Sequence, residues 1–176
     1  MNGNVLDHLW NGWRAAYVTG GISGRGGDSG SSDRSVFTAI LECGLDDDDT
    51  NIVHRGRTCF VIMNAFPYTS GHVMVLPYRQ VADLEQLTSE EATELWATVT
   101  AAVRALKRAY RPDGLNVGVN LGQAAGGSVS GHLHVHVVPR WGGDSNFMTA
   151  VANTRTLPEA INDSAARIRA AWNAPT

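Results

Sequence analysis

Apolar positions along the chain follow two periods, and the stretches where each holds mark out the elements. Residues 88–110, "TSEEATELWATVTAAVRALKRAY", place apolar side chains three and four apart, the repeat of a helix with one buried face. Thr88 and Glu91 supply its capping box, and Lys107 and Arg108 sit near the negative end of its dipole. Residues 5–17 repeat the pattern through Leu6, Leu9, Trp10, Trp13 and Tyr17, predicting an N-terminal helix docked by its aromatic face. A last helix is expected over 158–172, with Pro158 in its first turn. Between the helices the period drops to two. "NIVHRGRTCFVIMN" reads as two strands about a turn at Arg55 to Arg57, "GHVMVLP" as a third and "GLNVGVNLG" as a fourth. The strictest alternation, "HLHVHVV" from His132 to Val138, ends at Pro139 and makes another strand. Antiparallel strands with one long helix on a face make an α+β domain, its sheet of about five strands joined by a C-terminal helix.

Two stretches have little to bury. Residues 19–35, "TGGISGRGGDSGSSDRS", are rich in Gly and Ser and are expected to form a flexible loop. The acidic run at 46–49 reads as a solvated turn. No internal repeat divides the chain, so residues 1–176 are read as a single domain.

Composition narrows the function classes. The chain has 176 residues, 43% hydrophobic and 18% charged, enough length for one globular core. A net charge of −3 gives no basic field for a nucleic-acid partner, so an anionic ligand must be met locally. The start lacks a basic, then apolar leader, and no 18-residue apolar run occurs. The expectation is a cytoplasmic protein with no membrane partner. Cys43 and Cys59 show neither a disulfide framework nor a CxxC spacing and are read as reduced thiols.

Three of the six histidines stand at alternating positions, His132, His134 and His136. On a strand they share one face, roughly 7 Å from one to the next, while Leu133, Val135 and Val137 turn toward the core. Three uses of such a row compete. Imidazoles can hold zinc, but three alternating positions span far for one ion and no fourth ligand stands nearby. They can merely be solvent-facing or satisfied in the core. A neutral imidazole can also attack phosphorus and hand the group on, provided its other nitrogen is held as N–H. His134 is then the natural attacker, with His132 and His136 positioning phosphate oxygens or protonating a leaving oxygen. The preceding "LGQAAGGSVSG" favours this use, because Gly126 and Gly127 can turn backbone N–H groups on an anion and Ser128 adds a hydroxyl donor. Asn120 can donate to the same anion from the end of its strand. Arg79 and Arg140 could offset phosphate charge.

These residues resemble a known family. "HLHVHVV" matches the pattern of the histidine triad (HIT) proteins, and "NAFPYTSGHVMVLP", residues 64–77, resembles their nucleotide-binding strand pair. The likeness covers about residues 52–140. The opening "LWNGWRAAYV" and the trailing "PRWGGDSNF" are similar to the actinobacterial branch that includes diadenosine tetraphosphate phosphorylases.

That resemblance implies a HIT-like fold, a homodimer, a nucleotide substrate, and attack by the middle histidine without metal or other cofactor. It assigns His134 as nucleophile, aided by His132 and His136. Asn64 falls at the position that bonds ribose hydroxyls and His72 near the nucleotide. Gly127 and Ser128 fall at the phosphate turn, while Asn120 and Trp141 fall where the polyphosphate region is lined. Two departures stand out. Many members carry a CxxC zinc clip where this chain has Ser35 and Thr38, so that structural zinc is expected to be absent. The hydrolase branch commonly has Gln where this chain has Ser128, and the shorter side chain leaves room for inorganic phosphate. The expectation is phosphorolysis of diadenosine tetraphosphate to ADP and ATP, with dinucleoside polyphosphate or phosphoramidate hydrolysis and a non-catalytic nucleotide sensor as alternatives.

Overall fold

The computed structural model describes residues 34–126, 129–144 and 159–174, together with the backbone of Asp7–His8 and Thr154–Arg155. In chain order the main elements are α1 (Val36–Leu41), α2 (Asp47–Thr50), β1 (Ile52–Arg55), β2 (Cys59–Met63), β3 (Val73–Pro77), α3 (Ser89–Tyr110), β4 (Gly114–Val119), β5 (Val135–Arg140) and α4 (Ile161–Trp172). The five strands form one antiparallel sheet in the order β1-β2-β3-β5-β4, the expected α+β architecture.

Alternation along the central strands divides their side chains between two cores. Val61, Val73, Val75, Val135 and Val137 pack on one face beneath Leu95, Val99 and Leu106 of α3 and Ile161 and Ile168 of α4. Phe60, Ile62, Met74 and Leu76 point to the other face and meet Phe37, the buried residue of α1. His136 pairs with Met74 across β5 and β3, so its ring belongs to this second face. One face of the sheet therefore carries the bulk of the core, and the other, thinly covered by α1, carries the imidazoles.

The capping box of α3 forms as read, with Thr88 Oγ1 accepting from the Glu91 N–H and the Glu91 carboxylate accepting from the Thr88 N–H. Elsewhere the local reading is revised. The acidic run makes the short helix α2, because the Asp46 side chain accepts from the N–H groups of Asp48 and Asp49, each at 2.9 Å. Three carboxylates in its first turn also suit the positive end of the dipole. Helix α4 starts at Ile161 rather than at 158, and Pro158 lies outside the described residues. Of the expected helix at 5–17 only Asp7 and His8 are described, and they pair in parallel with Thr154 and Arg155. Residues 19–33 of the expected loop likewise lie outside. Ser35, at its end, is buried and caps α1. Among the described residues no helix is long and apolar enough to cross a membrane.

Candidate active site

His132 and His134 stand just ahead of β5, not inside it. The Leu133 N–H donates to the Val81 carbonyl at 2.6 Å, and the sheet ladder begins at Val135. Both imidazoles are buried, His132 completely. A carbonyl oxygen can only accept, which fixes where the protons lie. His132 Nε2 faces the Pro77 carbonyl at 2.9 Å, so Nε2 holds the hydrogen and donates. Its Nδ1 then accepts from the Ser35 hydroxyl at 2.6 Å. By the same rule His134 Nδ1 donates to the His132 carbonyl at 2.8 Å, leaving the lone pair of the neutral ring on Nε2.

A second chain of bonds sets His136. The Tyr68 N–H donates to His72 Nδ1 at 3.1 Å, so neutral His72 carries its proton on Nε2. That nitrogen lies 3.0 Å from His136 Nδ1 and donates to it, placing the proton of neutral His136 on Nε2. The Asn64 amide nitrogen lies 3.3 Å from His72 Nε2, and its oxygen accepts from the Phe66 N–H at 2.8 Å. The His134 and His136 rings meet edge to face with centroids 4.9 Å apart, closer than strand rise alone implies. The row therefore presents a bare nitrogen on His134 beside an N–H on His136.

Burial governs the charge of His132 and His136. Desolvation, helped by the neighbouring His134, pushes His136 down to about 4. Desolvation also lowers His132, against the opposing bond to Pro77. Below pH 6.5 the unfolded chain takes up a proton that folded His136 refuses until about pH 4, so this site costs nothing well above 6.5, costs more stability as pH falls between those limits, and keeps its full cost below them. Urea unfolding across that window is expected to give His136→Gln a shallower pH slope than the parent, by up to about one proton. Equal slopes would show that His136 is not held neutral by the fold.

The other sequence-derived candidates divide. Asn64 and His72 join the imidazoles. Gly126, at φ 92°, ends the turn after Gln123–Ala125, and the Asn120 amide nitrogen lies 4.0 Å from where a Cβ on Gly126 would stand, so Asn120 borders the glycine bend. Gly127 and Ser128 lie outside the described residues. Trp141 follows the far end of β5 and packs edge to face on Tyr110, five residues and roughly 17 Å of strand beyond His136. It is not brought to the histidines of its own chain. Arg79 and Arg140 are bound to Glu91 and Asp144.

Sequence reading assigned no site role to Ser35, Gln80 or the Pro77 carbonyl. The N-cap position of Ser35 ahead of an apolar run was a local signal; its bond to His132, 97 residues away, was not.

Zinc held by the imidazole row would need lone pairs the row does not offer, since both nitrogens of His132 are engaged by protein and His134 offers only one. Among the described residues no group of three or more His, Cys, Asp or Glu side chains is disposed to hold a metal ion.

An antiparallel α+β sheet bearing alternating imidazoles beside a glycine bend defines a histidine triad protein. Residues 46–143 match the HIT domain model, and the chain belongs to that family. It is 42% identical over 167 residues to the AP-4-A phosphorylase of Mycobacterium tuberculosis, covering 95% of this chain and 85% of that one. It is 32% identical over 91 residues to the asymmetrical bis(5'-nucleosyl)-tetraphosphatase of Schizosaccharomyces pombe, covering 52% of this chain and 50% of that one. Among solved structures, a zinc-bound histidine triad family protein of Mycobacterium smegmatis superposes with a TM-score of 0.65 at 29% identity, over 81% of this chain and 95% of that one.

Proposed function

We propose that this protein cleaves diadenosine tetraphosphate by phosphorolysis through a nucleotidyl-histidine intermediate. The carrying observation is the 2.8 Å bond from His134 Nδ1 to the His132 carbonyl, which leaves the lone pair of the ring on Nε2. In the first step a bond forms from Nε2 to the α-phosphorus, and the bond from that phosphorus to the bridging oxygen breaks, releasing ATP. In the second an oxygen of inorganic phosphate attacks the adenylyl group, the nitrogen–phosphorus bond breaks, and ADP leaves. His136 Nε2–H donates to an oxygen of the reacting phosphate, while His132 holds the carbonyl that orients His134. With His72 Nε2 protonated, the Asn64 amide cannot donate to it and has N–H groups for a ribose hydroxyl. Asn120, Gly127 and Ser128 bind the polyphosphate at the bend.

Whole-length likeness to the M. tuberculosis phosphorylase supports phosphate over water as the acceptor, whereas likeness to the tetraphosphatase extends over about half the chain. Incubation with diadenosine tetraphosphate and labelled phosphate is expected to give ATP and ADP, with the label in the terminal phosphate of ADP. AMP formed equally without phosphate would replace this reading with hydrolysis, and binding without turnover would leave a nucleotide sensor. If the short Ser128 side chain admits phosphate, Ser128→Gln should lower the ratio of ADP to AMP by about tenfold, on the order of one lost hydrogen bond. An unchanged ratio would remove Ser128 from acceptor choice.

A cytoplasmic homodimer belongs to the same proposal. Strand β4 lies at the sheet edge, and Val117 and Leu121 expose apolar surface there, a surface that a second copy can cover. Sedimentation should give twice the chain mass, and fractionation should recover the protein with the cytosol.

A further inference from the structure

Three polar side chains outside the histidine row form a network that reaches it through Ser35. His132 Nδ1 must accept, so the Ser35 hydroxyl spends its proton there, at 2.6 Å. Ser35 Oγ accepts in turn from the Thr38 N–H at 3.1 Å. Gln80 Oε1 accepts from both the Ser35 N–H at 2.7 Å and the Thr38 hydroxyl at 3.1 Å. The Phe37 ring closes the side of the cluster, edge-on to His132 with centroids 5.5 Å apart. With Pro77 on its other nitrogen, the fully buried His132 ring is gripped at both ends. Its backbone carbonyl is the acceptor that fixes His134.

Ser35 and Thr38 stand at the positions where many histidine triad proteins carry a CxxC zinc clip. The donors do not fit that metal: two hydroxyls, an amide oxygen and an imidazole with no free nitrogen replace the thiolates and imidazoles of a structural zinc site. We propose that Ser35, Thr38 and Gln80 form a metal-free positioning clamp, in which Thr38 and Gln80 hold Ser35 and the single bond from the Ser35 hydroxyl to His132 fixes the carbonyl that orients the attacking nitrogen of His134. The clamp rests on the reading of His134 as nucleophile, but not on the choice of substrate or acceptor.

The difficulty in testing Ser35 is that it also caps α1, so the variant must separate the two jobs. Gly is nearly as good an N-cap as Ser but has no hydroxyl to donate, and Thr keeps both properties. Ser35→Gly is expected to retain the thermal midpoint within a few degrees, to lower kcat by about tenfold to a hundredfold and to leave KM within about twofold. Ser35→Thr should recover most of the rate. In ¹⁵N spectra of the full chain labelled at histidine, Ser35→Gly should shift His132 Nδ1 toward the free-acceptor position and disturb His134 Nδ1–H, whereas zinc added to the parent should change neither ring. Normal kcat with undisturbed His132 and His134 resonances in Ser35→Gly, failure of Ser35→Thr to exceed Ser35→Gly, or a zinc-dependent shift of His132 in the parent would each overturn the clamp. The spectra read it even if diadenosine tetraphosphate proves not to be the substrate, so the two failures are distinguishable.

Discussion

His134→Asn is expected to lower turnover by about 10⁴-fold or more while nucleotide affinity stays within about threefold. Asparagine is the informative replacement, because its amide N–H can still donate to the His132 carbonyl, as Nδ1–H does at 2.8 Å. The neighbourhood of Phe37 and His136 then loses ring volume but keeps the bond to the His132 carbonyl. What disappears is the lone pair on Nε2, with the covalent route it provides. At 1.36 kcal/mol per tenfold, a 10⁴-fold loss is about 5 kcal/mol of transition-state stabilisation, far more than one hydrogen bond supplies. The parent protein, denatured during turnover, should carry a mass increment of one nucleotidyl group that the variant lacks. Retention of more than about a hundredth of the rate in His134→Asn would move the nucleophile elsewhere.

The visibility of this site in the sequence tracks the separation between the residues that build it. Features set by neighbours were legible. Thr88 and Glu91 announce their capping box over three residues, and the alternation from Leu133 to Val137 separates core from imidazole face without any knowledge of the fold. Asp46 could have been read the same way, since a capping side chain followed by three acidic residues is a local helix start. The protonation pattern was not legible. Neutral imidazole has two tautomers of similar energy, and the choice is made by Pro77 for His132 and by Tyr68, through His72, for His136. Those partners lie 55 and 64 residues from the histidines they bond, brought there by β3 and the turn before it. The departure of His132 and His134 from the ladder was hidden for the same reason, because the competing acceptor for the Leu133 N–H is the carbonyl of distant Val81.

His136→Ala is expected to cost roughly 10²–10³-fold in turnover, the usual consequence of removing one donor aimed at developing negative charge. The lowered pKa decides what kind of donor it is. At about 4, the ring is neutral at pH 7 and keeps its Nε2 proton, so it serves as a fixed N–H dipole rather than as a stock of imidazolium. The proton is on Nε2 because His72 donates to Nδ1, and His72 can donate because the Tyr68 N–H occupies its other nitrogen. Break that relay and His136 can turn its lone pair toward the phosphate, which repels. His72→Leu should therefore lose about tenfold or more without touching the reacting atoms. Because both residues act through one N–H, the double variant should be no slower than His136→Ala alone, so that the cycle is strongly non-additive. Rate losses that multiply independently would mean that His72 serves the reaction by some route other than His136. A rate for His136→Ala that rises toward the parent's as pH falls toward 4 would point instead to a proton supplied by solvent acid, and hence to an imidazolium role that the neutral tautomer cannot fill.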